Sequence, residues 1–192
     1  MSIYTLKPHF QDLLRPLVRR LAGTGVTANQ VTLLAALLSV ALGLLLAVRP
    51  ERPSLFLLLP ALLFLRMALN AIDGMLAREF GQKSALGAYL NELCDVVSDA
   101  FLYVPFAFLP HFSPAWVGAV IVLAVISEMA GTVAVMTGAS RRYDGPLGKS
   151  DRAFVFGALG LAIGLGLPPA GWLQWLFVDA FRGARKSPVE AG

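Results

Sequence analysis

Residues 70–99 read N-A-I-D-G-M-L-A-R-E-F-G-Q-K-S-A-L-G-A-Y-L-N-E-L-C-D-V-V-S-D. Both ends run into apolar segments, and the middle is polar. Asp73, Arg78, Asn91, Asp95 and Asp99 stand here in a chain otherwise poor in charge. Ionisable groups beside apolar helices are costly to bury and mark a working site. Asn70, Asp73 and Ala77 share one helical face by i+3 and i+4 spacing, and Gly87, Asn91, Asp95 and Asp99 share another by repeated i+4. The segment between the two faces is short, so the helices are expected to be antiparallel neighbours. With the turn at residue 82, Asp73 and Asn91 lie at one depth, and Asn70 lies level with Asp95 one turn deeper. Opposed in this way, four oxygen-bearing side chains converge, while Gly74, Ala77 and Gly87 leave room for a ligand. Carboxylate and amide oxygens suit a hard cation such as Mg²⁺ or Mn²⁺, which in turn binds phosphate oxygens. Arg78 at the rim can pair with the same phosphates. A buried polar network tying two helices together would explain any one pair, such as Asn70 with Asp95. It would not explain acids, small residues and arginine together.

The composition fits such a site inside a membrane. Of 192 residues, 57% are hydrophobic and 15% charged, with mean hydropathy +0.69. Soluble domains carry roughly 25% charged residues, so this chain cannot cover its surface with charge. A single cysteine, Cys94, excludes an internal disulfide. The pI of 9.6 is compatible with nucleic acid. The basic residues, however, cluster between apolar segments, which fits anionic lipid headgroups and no nucleic acid.

Outward from residues 70–99, the apolar runs predict an all-α integral membrane protein. Residues 3–22 alternate apolar and basic positions at helical spacing and predict an amphipathic interfacial helix, opened by Pro8 and bent near Pro16. The alternative is a cytosolic helix packed on a partner. No compact apolar stretch with a small-residue cleavage site begins the chain, so no signal peptide is expected. Thr27-Ala28-Asn29 offers N-cap chemistry for a span over 31–48. Further spans are predicted over 54–69 (helical on to Phe80), 84–109, 115–138, 153–167 and 170–181. Gly157, Gly160 and Gly164 form a small-residue face for close packing. Glu128, alone in its span, is expected to pair with Arg66. Trp116, Trp172 and Trp175 lie near span ends as interfacial anchors. The whole chain, 1–192, is expected to form one domain: interfacial helix 1–25, six-helix bundle 26–182 and tail 183–192.

Lys7, Arg15, Arg19, Arg20, Arg78, Lys83, Arg141, Arg142, Lys149, Arg152, Arg182, Arg185 and Lys186 fall on one side of this plan, against Arg49 and Arg52 on the other. The positive-inside rule therefore places both termini and the loop at 78–83 in the cytoplasm.

The stretch Asp73-Gly74-x2-Ala77-Arg78-x8-Gly87-x3-Asn91-x3-Asp95 resembles the signature of the CDP-alcohol phosphatidyltransferases, with every spacing kept. The resemblance extends to Thr27-x-Asn29-x2-Thr32, the N-terminal amphipathic helix and the six-span plan. It implies an integral membrane enzyme, expected here in a bacterial inner membrane, and the charge bias turns its active site to the cytoplasm. Such an enzyme moves a phosphatidyl or phospho-alcohol group from a CDP-linked donor, such as CDP-diacylglycerol, to an acceptor hydroxyl and releases CMP. It implies Asn70, Asp73, Asn91 and Asp95 as ligands of one or two Mg²⁺ or Mn²⁺ ions, and Asp95 as the base for the acceptor. Gly74, Ala77, Arg78 and Gly87 are implied to bind the nucleotide donor. A small alcohol acceptor, membrane lipids and a homodimer are the partners it implies. Two positions depart from the pattern, because the first and third aspartates of the family are Asn70 and Asn91 here. The four positions then carry two formal charges instead of four. Arg141, Arg142 and Lys149 could hold a further phosphate or simply follow the positive-inside bias. The competing readings are an inactive family member serving as a scaffold, and a small transporter. Clustering of the acids at one end of the helices counts against a transport path.

Overall fold

The computed structural model describes residues 3–136 and 148–167. Among these residues there are six helices and no strand: α1 (Ile3–Gly23), α2 (Ala28–Val48), α3 (Leu58–Glu79), α4 (Ala85–Tyr103), α5 (Pro114–Met136) and α6 (Lys149–Gly164). Three segments among the described residues are long and apolar enough to cross a membrane: Ala28–Val48, Pro53–Glu79 and Pro114–Ala134. The expected sixth span over 170–181, with Trp172 and Trp175, lies outside the described residues, as do Arg141 and Arg142.

Local chemistry sets the helix ends. Thr27 and Gln30 form a reciprocal cap for α2: the Gln30 N–H donates to Thr27 Oγ1 at 3.3 Å, and the Thr27 N–H to Gln30 Oε1 at 2.9 Å. Ser84 caps α4, its Oγ accepting the Gly87 N–H at 2.9 Å. Gly81, at φ +69, makes the turn between α3 and α4 in a backbone region that favours glycine.

Several boundaries differ from the sequence expectation. α1 begins at Ile3 and runs through Pro8 and Pro16, so Pro8 does not open it. The third span is α-helical only to Tyr103. Pro105 lacks an N–H to extend the ladder, and Val104–Phe108 continues as a 3₁₀ turn. α6 starts at Lys149, which draws Asp151 and Arg152 out of the expected loop and into the helix. Asp151 Oδ2 accepts the Gly148 N–H at 3.2 Å at that start.

The chain divides into two compact units. In the first, Val18 of α1, Ala28 and Val31 of α2, and Ile72, Met75 and Leu76 of α3 form a buried apolar cluster. One face of α1 is thus packed on α2 and α3, and Arg15 reaches Glu79 at 2.7 Å, while Leu13 and Leu17 remain exposed. α2 and α4 approach so closely that a Cβ on Gly43 would overlap the Phe101 carbonyl oxygen. Gly43→Ala is therefore expected to destabilise by about 1–3 kcal/mol, because a backbone atom cannot rotate away. Gly118→Ala, whose Cβ meets nothing within 4 Å, should be neutral or mildly stabilising by helix propensity. Thermal melts of both variants in detergent check this pair, and equal melting temperatures would contradict it.

The second unit is held by aromatic packing. Tyr103 stacks on Phe156 at 3.8 Å, and Phe106 meets Phe56, Phe112 and Phe156 edge-on at 5.1–5.4 Å. Gly160 and Gly164 of α6 let Leu59 and Leu57 approach within van der Waals reach, which is the packing use expected of the small-residue face. Glu128 does not pair with Arg66. It accepts Arg152 Nη2 at 2.7 Å, both side chains buried. With Arg152 inside a helix, the buried carboxylate on α5 has its cation on α6.

Candidate active site

The polar stretch at 70–99 folds as the facing surfaces of α3 and α4, both in the first unit. Asn70 Nδ2 donates to Asp95 Oδ1 at 3.3 Å, so the two residues share one level, as a turn at residue 82 requires. One turn deeper on α3, Arg66 is 5% exposed and spans two turns of α4. Its Nη2 donates to Asp95 Oδ1 at 2.9 Å and to the Asp95 carbonyl at 3.1 Å, and its Nη1 donates to Asp99 Oδ1. Asp99 is therefore the partner of Arg66, at 7% exposure, and Asp95 keeps 15% exposure at the rim of the pair.

Asp73 is buried and accepts Thr32 Oγ1 of α2 at 2.7 Å. Thr32 Oγ1 also lies 3.1 Å from the Ala28 carbonyl of its own helix, so its one O–H proton is shared between two acceptors, with Asp73 the shorter. The start of α2 is tied to the turn after α3. Gln82 Oε1 accepts the Ala28 N–H at 2.7 Å, and Gln82 Nε2 donates to the Val26 carbonyl at 3.3 Å. Three helices thus position the site.

The small residues make room for the chain's own polar groups. The Arg78 guanidinium lies 3.0–3.3 Å from where a Gly74 Cβ would sit, so glycine at 74 lets Arg78 fold back along the last turn of α3 without crowding. Asn29 Oδ1 lies 2.8 Å from where a Gly87 Cβ would sit, with Ser84 Oγ at 3.0 Å. Ala77 is half-buried beside the apolar cluster, and Asn91 and Glu92 are half-buried on α4. Cys94 is a free thiol. The side chains of Arg141, Arg142 and Lys149 lie outside the described residues.

Residues 25–180 match the CDP-alcohol phosphatidyltransferase family. The chain belongs to that family. It is 50% identical over 175 residues to the Inner membrane protein YnbA of Escherichia coli (strain K12), covering 91% of this chain and 85% of that protein. It is 31% identical over 177 residues to a Phosphatidylinositol phosphate synthase of Corynebacterium glutamicum, covering 88% of this chain and 78% of that one. No solved structure matches the chain. A CDP-alcohol phosphatidyltransferase chain with helices apolar enough to span is a membrane protein of phospholipid synthesis.

The family uses divalent metal ions. Among the described residues, no three His, Cys, Asp or Glu side chains are grouped to hold one. Amide oxygens widen the donor set, and Asn70, Asp73, Asn91 and Asp95 together offer only hard oxygens, which fit Mg²⁺ or Mn²⁺. Part of that set is already engaged, since Asp95 Oδ1 receives both Arg66 and Asn70.

Arg66 and Thr32 are the residues that sequence reasoning left without a role in this site. The signal for Arg66 is its position four residues before Asn70, on the same face of α3. Thr32 belongs to the Thr27-x-Asn29-x2-Thr32 stretch of the family resemblance, but its contact with Asp73 is tertiary and no periodicity encodes it.

Proposed function

We propose that this chain transfers a phosphatidyl or phospho-alcohol group from a CDP-linked lipid to an acceptor hydroxyl, with release of CMP. The observation that supports the reading is the bond of Asn70 to Asp95 between α3 and α4, with Asp73 and Arg78 on α3 in the family's own spacing and Asp95 partly exposed. Family membership and the synthase relative support the reaction class.

Each residue has a definable task. Arg78, the flexible cation at the end of α3, pairs with the diphosphate of the donor and offsets charge on the phosphorus under attack. Gly74 and Gly87 make room for Arg78 and Asn29, the polar groups that would meet the nucleotide. The acceptor oxygen attacks the lipid-bearing phosphorus, the P–O bond to CMP breaks, and CMP leaves with the bridging oxygen. Asp95 takes the acceptor proton. A divalent ion held among Asn70, Asp73, Asn91 and Asp95 supplies positive charge to the phosphate oxygens when bound. Both termini and the loop at 78–83 lie in the cytoplasm in this account, where CDP-linked donors and water-soluble acceptors meet. A homodimer within the membrane is part of the same reading.

Purified protein in lipid nanodiscs, given CDP-diacylglycerol and glycerol phosphate, inositol phosphate or serine in turn, should release CMP with one acceptor class. Release with none of a broad set of phosphorylated and free alcohols would sink the reading. In the same assay, Thr32→Val should lower the rate about tenfold. It removes a bond to a buried carboxylate, a loss of roughly 1–3 kcal/mol. Thr32→Ser should restore most of that rate, and a Thr32→Val rate equal to wild type would remove Thr32 from the site.

A further inference from the structure

Arg66 takes no part in the chemistry above, yet it is among the most deeply buried charges described, and it faces the site from below. Its guanidinium meets carboxylates on two successive turns of α4 and a backbone carbonyl between them. Burial of an arginine is costly unless paired this fully. The pairing has a consequence for Asp95. A carboxylate oxygen offers about two lone pairs, and Asp95 Oδ1 already accepts Arg66 Nη2 at 2.9 Å and Asn70 Nδ2 at 3.3 Å. A metal ion would have to displace one of these donors to use the same oxygen.

Charge points the same way. A site with carboxylates at all four motif positions has a formal charge that balances two divalent ions. Here Asp73 and Asp95 are the only acids at those positions, and Asp99 and Arg66 cancel each other. Arg66 also sets a cation against Asp95, so a second divalent ion there meets like charge with fewer carboxylates to offset it. Asn70 adds to this, since it donates its amide N–H to Asp95 and does not compete with it as an anion.

We propose that Arg66 is a built-in cation standing in for one of two metal ions: it holds Asp95 from the deep side and limits the site to a single divalent ion, bound at the level of Asp73 and Asn91. The inference rests on the transferase reading, which supplies the reason for any ion to be there. Arg66 is a positioning residue in this scheme and does not touch substrate.

The test counts ions directly. Mn²⁺ is titrated into purified protein in zwitterionic lipid nanodiscs, free Mn²⁺ is read by electron paramagnetic resonance, and CMP release is followed on the same preparations. Wild type and Arg66→Lys should each bind one Mn²⁺ per chain. Asn70→Asp/Asn91→Asp should still bind one, at least about tenfold tighter, because two more carboxylates attract the ion while Arg66 continues to occupy Asp95. Adding Arg66→Gln and Asp99→Asn to that pair should admit a second ion. Two Mn²⁺ in wild type, two in Asn70→Asp/Asn91→Asp with Arg66 intact, or none in wild type would each overturn the proposal. The first three proteins decide it even if the quadruple variant does not fold. Failure of the transferase reading shows separately, as absence of CMP release whatever the ion count.

Discussion

Asp95→Asn and Asp73→Asn are each expected to cut CMP release by at least about a hundredfold while leaving the fold intact. The magnitude follows from the roles assigned. Removing a positioned base typically costs 10²–10⁴ in rate, as an order of magnitude, and each change also halves the negative charge at the motif positions. The fold should survive for reasons visible in the contacts. With Asn at 95, Arg66 retains Asp99 and the residue 95 carbonyl, and the amide oxygen can still accept a hydrogen bond. With Asn at 73, the amide oxygen can still accept Thr32 Oγ1. Rates and melting temperatures measured on the same preparations check both halves. Either variant within about threefold of wild type would remove that residue from the chemistry.

The largest stability effect is expected at Arg66. Arg66→Leu leaves the buried Asp99 and the half-buried Asp95 without their shared cation. Breaking a buried pair from one side costs about 3–5 kcal/mol, which for a chain of this size corresponds to a melting-temperature fall on the order of 10 °C. Asp99→Leu combined with Arg66→Leu should recover much of the loss, since Asp95 is partly exposed and retains Asn70. A single variant that melts with wild type would show that the pair contributes nothing to the fold. A double variant no better than Arg66→Leu would show that packing, and not the uncompensated charge, sets the cost.

These expectations depend on features that were unequally legible in the sequence. The α3–α4 pairing was legible because it rests on geometry alone. A short connection and repeated i+4 spacing put Asn70 level with Asp95, and the hydrogen bond between them confirms the register. The same register, carried one turn deeper, sets Arg66 beside Asp99. That contact was within reach of sequence reasoning and was missed because Glu128 looked like a lone acid in need of a cation. Glu128 had its own cation in Arg152. Arg152 was hidden by a run of polar residues that reads as loop, although Gly148 followed by Asp151 marks a helix start. The bonds from Thr32 to Asp73 and the approach of Asn29 to Gly87 are tertiary. They depend on how α2 leans on α3 and α4, which no local periodicity encodes. The end of α4 is a milder case. Hydropathy continues past Tyr103, but Pro105 interrupts the hydrogen-bond ladder.

The central claim is that the α3–α4 polar surface binds a CDP-linked donor. Equilibrium binding of radiolabelled CDP-diacylglycerol to the purified chain in nanodiscs tests it most directly. The account predicts saturable binding of one donor per chain that is strengthened by Mg²⁺, competed by CDP, and weakened about tenfold or more by Arg78→Ala, which removes one charge-assisted contact to phosphate. Binding that CDP does not compete, or that is unchanged in both Arg78→Ala and Asp73→Asn, would contradict it.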